Sequence, residues 1–210
     1  DWYPNPDKLP NGLAPLSARV HALGMKFGLW VEPEMVSPDS DLYRLHPDWC
    51  LHVPGRERTQ HRQQLVLDLS RQEICDYLLE TLGRLFTDAQ VDYVKWDCNR
   101  VMTDIGGTGT YYGRYFYDYY VNLYRILKTV TERYPDAIFE GCASGGNRFD
   151  LGILAFMPQI WASDDTDARE RLEIQAGTLA AYPQNTMGAH VSASPNHQTG
   201  NQTPLTERFI

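Results

Sequence analysis

The sequence has no apolar run approaching the roughly 20 residues of a membrane-spanning helix. Its four cysteines, Cys50, Cys75, Cys98 and Cys142, stand far apart and form no C-x-x-C pair. That spacing suggests neither a disulfide framework nor a zinc site. Six histidines are scattered, and His190 and His197 have no carboxylate at metal-ligand spacing, so no metal is expected. No cofactor is expected either: no glycine-rich phosphate loop follows an apolar run. "SGGN" at 144–147 lacks both the G-x-G-x-x-G spacing and a P-loop lysine. No long block of either charge occurs, and the net charge is −8. That balance argues against nucleic acid and anionic membranes as partners. Residue 1 is aspartate, with no signal-like segment after it.

What is present is a 210-residue chain, 42% hydrophobic and 22% charged, with material for a sizeable core. Short runs rich in β-formers recur at 26–32, 91–97, 137–143, 158–165 and 186–192. A sixth, "QLVLDLS" at 64–70, reads as a strand or an extended lead-in. Helical patterns lie between them. Residues 70–86 open with Ser70 and Glu73 at capping-box spacing and carry Ile74, Leu78, Leu82 and Leu85 on one face. Residues 113–134 carry a stripe of Phe116, Tyr120, Leu123, Leu127 and Val130. Residues 167–182 place Leu172, Gln175 and Leu179 together. Strand, helix, strand, repeated, implies an α/β fold with parallel strands and crossover helices.

Two architectures fit that alternation, a doubly wound open sheet and a (β/α)8 TIM barrel. The strand ends favour the barrel, whose active sites are assembled from the C-terminal ends of several strands. Here those ends carry Trp30, Glu32 and Glu34; Lys95, Asp97 and Asn99; Cys142 and Ser144; Ser163, Asp164 and Asp165; and His190. Only about five to six of the eight strands are present, so the barrel is expected in part, as one partial catalytic domain over 1–210.

Carboxylates dominate the candidates. Two carboxyl groups across one pocket are the working parts of a glycoside hydrolase, one attacking or activating water and the other protonating the leaving oxygen. Asp97 and the cluster Asp164, Asp165, Asp167 occupy different strand ends. Lys95 shares a strand face with Asp97, where an ammonium favours the ionised carboxylate that a nucleophile requires. Trp30 and Trp161 offer flat apolar faces for a sugar ring. Each residue also has a structural reading. Asp97 and Asp167 suit caps, Glu32 and Glu34 suit ion pairs, Trp161 suits the core, and Cys142 suits an inert buried thiol.

Several long motifs in fixed order, "DWYPNPDKLPNGL", "FGLWVEPEMVSPDSDLYRLHPDW", "DYVKWDCNR", "CASGGNRFDLGIL", "PQIWASDDTDARERLEIQAGT" and "YPQNTMGAHVSASPNHQT", resemble glycoside hydrolase family 36, the α-galactosidases. The resemblance covers essentially the whole chain. It implies a retaining α-galactosidase acting on melibiose- and raffinose-type oligosaccharides. By motif position Asp97 is the nucleophile and Asp164 the acid/base, with Asp165 as rival. Lys95 and Asn99 bind galactose hydroxyls. Trp30 lines the subsite and Arg62 reaches into it. Cys142, Gly145 and Gly146 shape the wall near the 2- and 4-hydroxyls. A galactosyl transferase of the raffinose-family type and a non-catalytic sugar-binding homologue are the alternatives. The family's D-D-G-W motif, its N-terminal β domain, its first barrel strands and its C-terminal β domain lie outside these residues. The segment alone is therefore expected to fold poorly or to lack activity. A homo-oligomer, often a tetramer, and a cytoplasmic location are further expectations from the resemblance.

Overall fold

A computed structural model describes residues 2–106 and 113–209. The chain divides into two compact units, Asp1–Ile138 and Phe139–Ile210. In the first unit, β1 (Gly28–Val31) pairs in parallel with β4 (Tyr93–Trp96), matching Gly28 with Tyr93 and Trp30 with Lys95. Between them come β2 (Met35–Val36), α2 (Asp41–Leu45), β3 (Leu65–Val66) and α3 (Gln72–Ala89). Helix α1 (Ala14–Ala22) precedes this group and α4 (Tyr115–Arg133) follows it. The second unit holds β5 (Ile138–Gly141) from Phe139 onward, β6 (Gln159–Trp161), α5 (Ala168–Leu179), β7 (Met187–Gly188) and α6 (Leu205–Arg208). There β6 pairs in parallel with both β5 and β7. The described residues thus hold five parallel strands with helices between them. The α/β class is as expected, and the alternation is consistent with part of a (β/α)8 barrel.

The sixth apolar run takes a different role. Leu65 and Val66 pair antiparallel with Val36 and Met35, so 64–70 closes a small ladder on the β1 excursion and is not a barrel strand.

Helix α3 buries Ile74, Leu78, Leu82 and Leu85, the face its period implies. Its capping box does not form. Arg71 is the N-cap residue, Ser70 Oγ donates to Asp68 Oδ1 at 2.5 Å, and Glu73 pairs with Arg71 at 2.7 Å. On α4, Leu123, Leu127 and Val130 of the expected stripe are buried, but its first turns face differently. Tyr115 and Tyr119 are buried while Phe116 faces out, because the Tyr119 hydroxyl donates to the buried Glu34 carboxylate. Helices α3 and α4 pack together. On α5 the buried residues are Ala168 and Arg171, and Leu172 and Leu179 are exposed.

Candidate active site

In the first unit the ends of β1 and β4 form one hydrogen-bonded group. Parallel pairing sets Trp30 beside Lys95, and Asp97 continues β4 with its N–H donating to Val31 O at 2.8 Å. The Asp97 carboxylate is 6% exposed. It accepts from the Trp30 indole Nε1 at 3.0 Å, from the Asn99 amide Nδ2 at 2.6 Å and from the Cys98 backbone N at 2.8 Å. Three donors aimed at one buried carboxyl favour its charged form. These three donors are neutral groups. Trp30 is half exposed, so it presents a ring face to solvent while its edge holds Asp97.

Beneath this group lie two fully buried carboxylates. Glu32 accepts the Asn99 backbone N at 2.5 Å and the Gln64 amide Nε2 at 2.6 Å. Glu34 accepts the Trp96 indole at 2.9 Å and the Tyr119 hydroxyl. Burial raises the Tyr119 hydroxyl pKa well above its usual value, and the Glu34 charge adds to that. Burying carboxylates is costly, and these hydrogen bonds offset part of the cost. The donors shown here to Glu32 and Glu34 are neutral groups. Glu32 thereby fixes the backbone that carries Asn99, a role its sequence position does not reveal. Arg62 stands apart, exposed at the tip of a turn.

In the second unit Asp164 follows β6 and is exposed, and its Oδ1 accepts the Trp161 indole Nε1 at 3.0 Å. Asp165 is turned into its own loop, where its carboxylate accepts the Asp167 backbone N at 2.9 Å. Asp167 is buried and caps α5 through Arg169 N at 2.9 Å. The Thr199 hydroxyl, then the Arg169 backbone N, hold the Asp167 pKa below the usual carboxylate value. Trp161 is not a core residue: it is half-buried, with the Arg171 guanidinium 4.4 Å from its ring centroid and the His190 ring 4.9 Å away. Burial lowers the Arg171 pKa, with Asp165 and then Asp164 acting against that shift.

Cys142 is buried just after β5. Gly145 has φ +86, and a Cβ there would lie 2.8 Å from Ser163 Cα. A Cβ on Gly146 would lie 2.9 Å from Ala162 O, to which its N–H also belongs at 3.0 Å. These glycines let the C-x-S-G-G loop close onto the segment that leads to Asp164. Among the described residues no group of three or more His, Cys, Asp and Glu is placed to hold a metal ion, and no helix is long and apolar enough to cross a membrane.

Each unit thus carries a carboxylate at a parallel strand end, donor-bound in the first and solvent-facing beside tryptophan in the second, the residue type on which glycoside hydrolases rely. The melibiase family model matches residues 1–210, and the chain belongs to that family. It is 54% identical over 211 residues to the alpha-galactosidase AgaA of Geobacillus stearothermophilus, covering 99% of this chain and 29% of the relative. It is 49% identical to the bifunctional alpha-galactosidase/sucrose kinase AgaSK of Mediterraneibacter gnavus, over 100% of this chain and 22% of the relative. The crystal structure of an alpha-galactosidase from Lactobacillus brevis superposes with a TM-score of 0.96 at 48% identity, over 99% of this chain and 28% of that one. That of the family 36 enzyme AgaA gives a TM-score of 0.95. The chain therefore spans less than a third of the length of these relatives.

Proposed function

We propose that the protein carrying this segment hydrolyses terminal α-galactosides, of the melibiose and raffinose type, with retention of configuration. The observation that carries the reading is the Asp97 carboxylate, buried at a strand end and held by three donors. Such a group is kept ionised and aimed, as a nucleophile must be. Asp97 attacks the anomeric carbon from the face opposite the leaving group, giving a galactosyl ester. Asp164 protonates the departing oxygen and then takes a proton from the incoming water. Two inversions give retention, with carboxyl groups about 5–5.5 Å apart in such enzymes. Asp164 suits this role better than Asp165. Its carboxyl faces solvent with one indole donor, whereas that of Asp165 is tied to its own loop. Lys95, Asn99 and Arg62 bind sugar hydroxyls, Trp30 supports the ring face, and Cys142, Gly145 and Gly146 form wall. A variant of AgaA has been crystallised in complex with raffinose and another with stachyose, which supports the substrate class.

The test compares a full-length protein carrying this segment with its Asp97→Ala variant. An aryl α-galactoside is offered beside α-glucoside and β-galactoside controls. Turnover of the α-galactoside alone, lost in the variant, is expected. Galactose binding without turnover by the unsubstituted protein would leave a binding module in its place.

A further inference from the structure

The turn that carries Arg62 is built against conformational preference. Arg62 and Gln63 both lie in the left-handed region, with φ 53° and 59°. On either side, Gln64 N donates to His61 O at 3.0 Å and His61 N to Gln64 O at 3.3 Å. Two left-handed residues inside such a pair make a two-residue turn of the mirror-image type, which favours asparagine and glycine. Arginine and glutamine each bring a Cβ that opposes it. Backbone of this kind persists only where its surroundings over-determine it.

Those surroundings centre on Arg100, which is 4% exposed. Its Nε donates to Gln64 O at 3.3 Å and its Nη2 to Thr59 O at 2.5 Å, so one guanidinium holds both stems of the turn. The same group donates to Thr103 Oγ1 at 2.9 Å and to Val101 O. Two further ties run the same way. Asp104 accepts from Thr59 N at 2.9 Å and from Thr59 Oγ1 at 3.1 Å. Gln64 Nε2 donates to Glu32, which also holds the backbone of Asn99. The ties from residues 59–64 thus run to Glu32 and to the segment that follows Asp97. A planar fork with fixed donor directions suits this work in a way that lysine does not. The Arg62 guanidinium has no hydrogen bond or ion pair among the described residues and stands exposed.

We propose that Arg100 is a positioning residue that fastens the Arg62 turn to the strand end bearing Asp97, so that Arg62 meets the sugar from a fixed place. The proposal rests on the reading of Arg62 as a sugar contact. Arg100 touches no substrate and acts through the turn.

A double-mutant cycle tests it in a full-length protein carrying this segment, with Arg62→Ala, Arg100→Gln and the pair, read on an aryl α-galactoside. Arg62→Ala and Arg100→Gln are each expected to raise KM about tenfold with little change in kcat, and the pair to be no worse than Arg62→Ala alone. Should Arg100→Gln fail to fold, the cycle is run with Arg100→Lys, which keeps the charge and loses the fork. If Arg100→Gln weakens binding as much without the Arg62 side chain as with it, the proposal is overturned. A KM unchanged by Arg62→Ala overturns the sugar-contact reading beneath it.

Discussion

Trp30→Phe removes one hydrogen bond from the proposed nucleophile and leaves a flat apolar ring in place. The indole donates to Asp97 Oδ2 at 3.0 Å, and Asn99 and the Cys98 backbone donate to the same carboxylate. A hydrogen bond to a charged group contributes about 1.5–3 kcal/mol. Asp97 is 6% exposed, so water replaces little of the loss. At about 1.4 kcal/mol per pH unit, protonation of Asp97 becomes easier by about 1–2 pH units. Removing a donor disfavours the carboxylate, so the acid limb of kcat/KM moves to higher pH. Far above that limb Asp97 is ionised in both proteins, and any remaining loss reports the altered ring face. The assay is kcat/KM for an aryl α-galactoside from pH 3 to 8, with protein folding checked at each pH. An acid limb that stays where it was, with rate lost evenly at every pH, refutes the idea that this indole holds Asp97.

Three other predictions concern separate parts of the molecule. Asp164→Asn is expected to cut turnover of oligosaccharides by about 10²–10⁴ and to be milder on substrates whose leaving group needs no proton, while Asp165→Asn does neither. The reverse pattern in steady-state kinetics would exchange the two roles. Tyr119→Phe leaves the fully buried Glu34 short of a donor, and should lower unfolding free energy by about 1–3 kcal/mol in denaturant titration, with the slope unchanged. An unaltered midpoint would show that the hydroxyl contributes nothing. Asp92 accepts from Lys26 Nζ at 2.7 Å and Phe27 N at 2.8 Å, and lies 2.8 Å from His21 Nε2. These partners, Lys26 foremost, hold its carboxyl well below the usual range. Its stabilisation is therefore full above the unfolded pKa, about 4, and is lost as pH falls toward the folded one. Asp92→Asn should lower Tm at pH 6, and the gap should narrow below pH 4; a gap constant down to pH 2 contradicts this.

The strands and the three long helices were legible because their signals are local. Helix α3 shows the right face since its inward residues are aliphatic and its period is clean. Helix α4 misleads because tyrosine is ambiguous. Tyr119 turns inward to reach Glu34, 85 residues earlier in sequence, and the first turns of the stripe shift with it, while Leu123, Leu127 and Val130 stay buried. The β2–β3 ladder was hidden because Leu65 and Val66 carry the same apolar signal as a parallel strand, and only their partner sets the direction. Helix α1 gives a weaker signal: its N-cap, Leu13, makes no side-chain hydrogen bond. At the site, the candidate residues could be named from strand ends and family motifs. Their wiring could not. The bonds from Trp30 to Asp97, from Asn99 to Glu32, and from Arg100 to Thr59 and Gln64 join segments 36 to 67 residues apart. Such pairings depend on the register of β1 on β4 and on a turn whose residues do not favour its shape.

A retaining mechanism of this kind requires Asp97 to bond covalently to the sugar. The direct measurement traps the intermediate with a fluorinated α-galactosyl donor of slow turnover, in a full-length protein carrying this segment, and locates the label by peptide mass spectrometry. A galactosyl ester on Asp97 is expected, with α-galactose as the first product from an ordinary α-galactoside. A label on another carboxylate, or no adduct together with β-galactose as the first product, contradicts it.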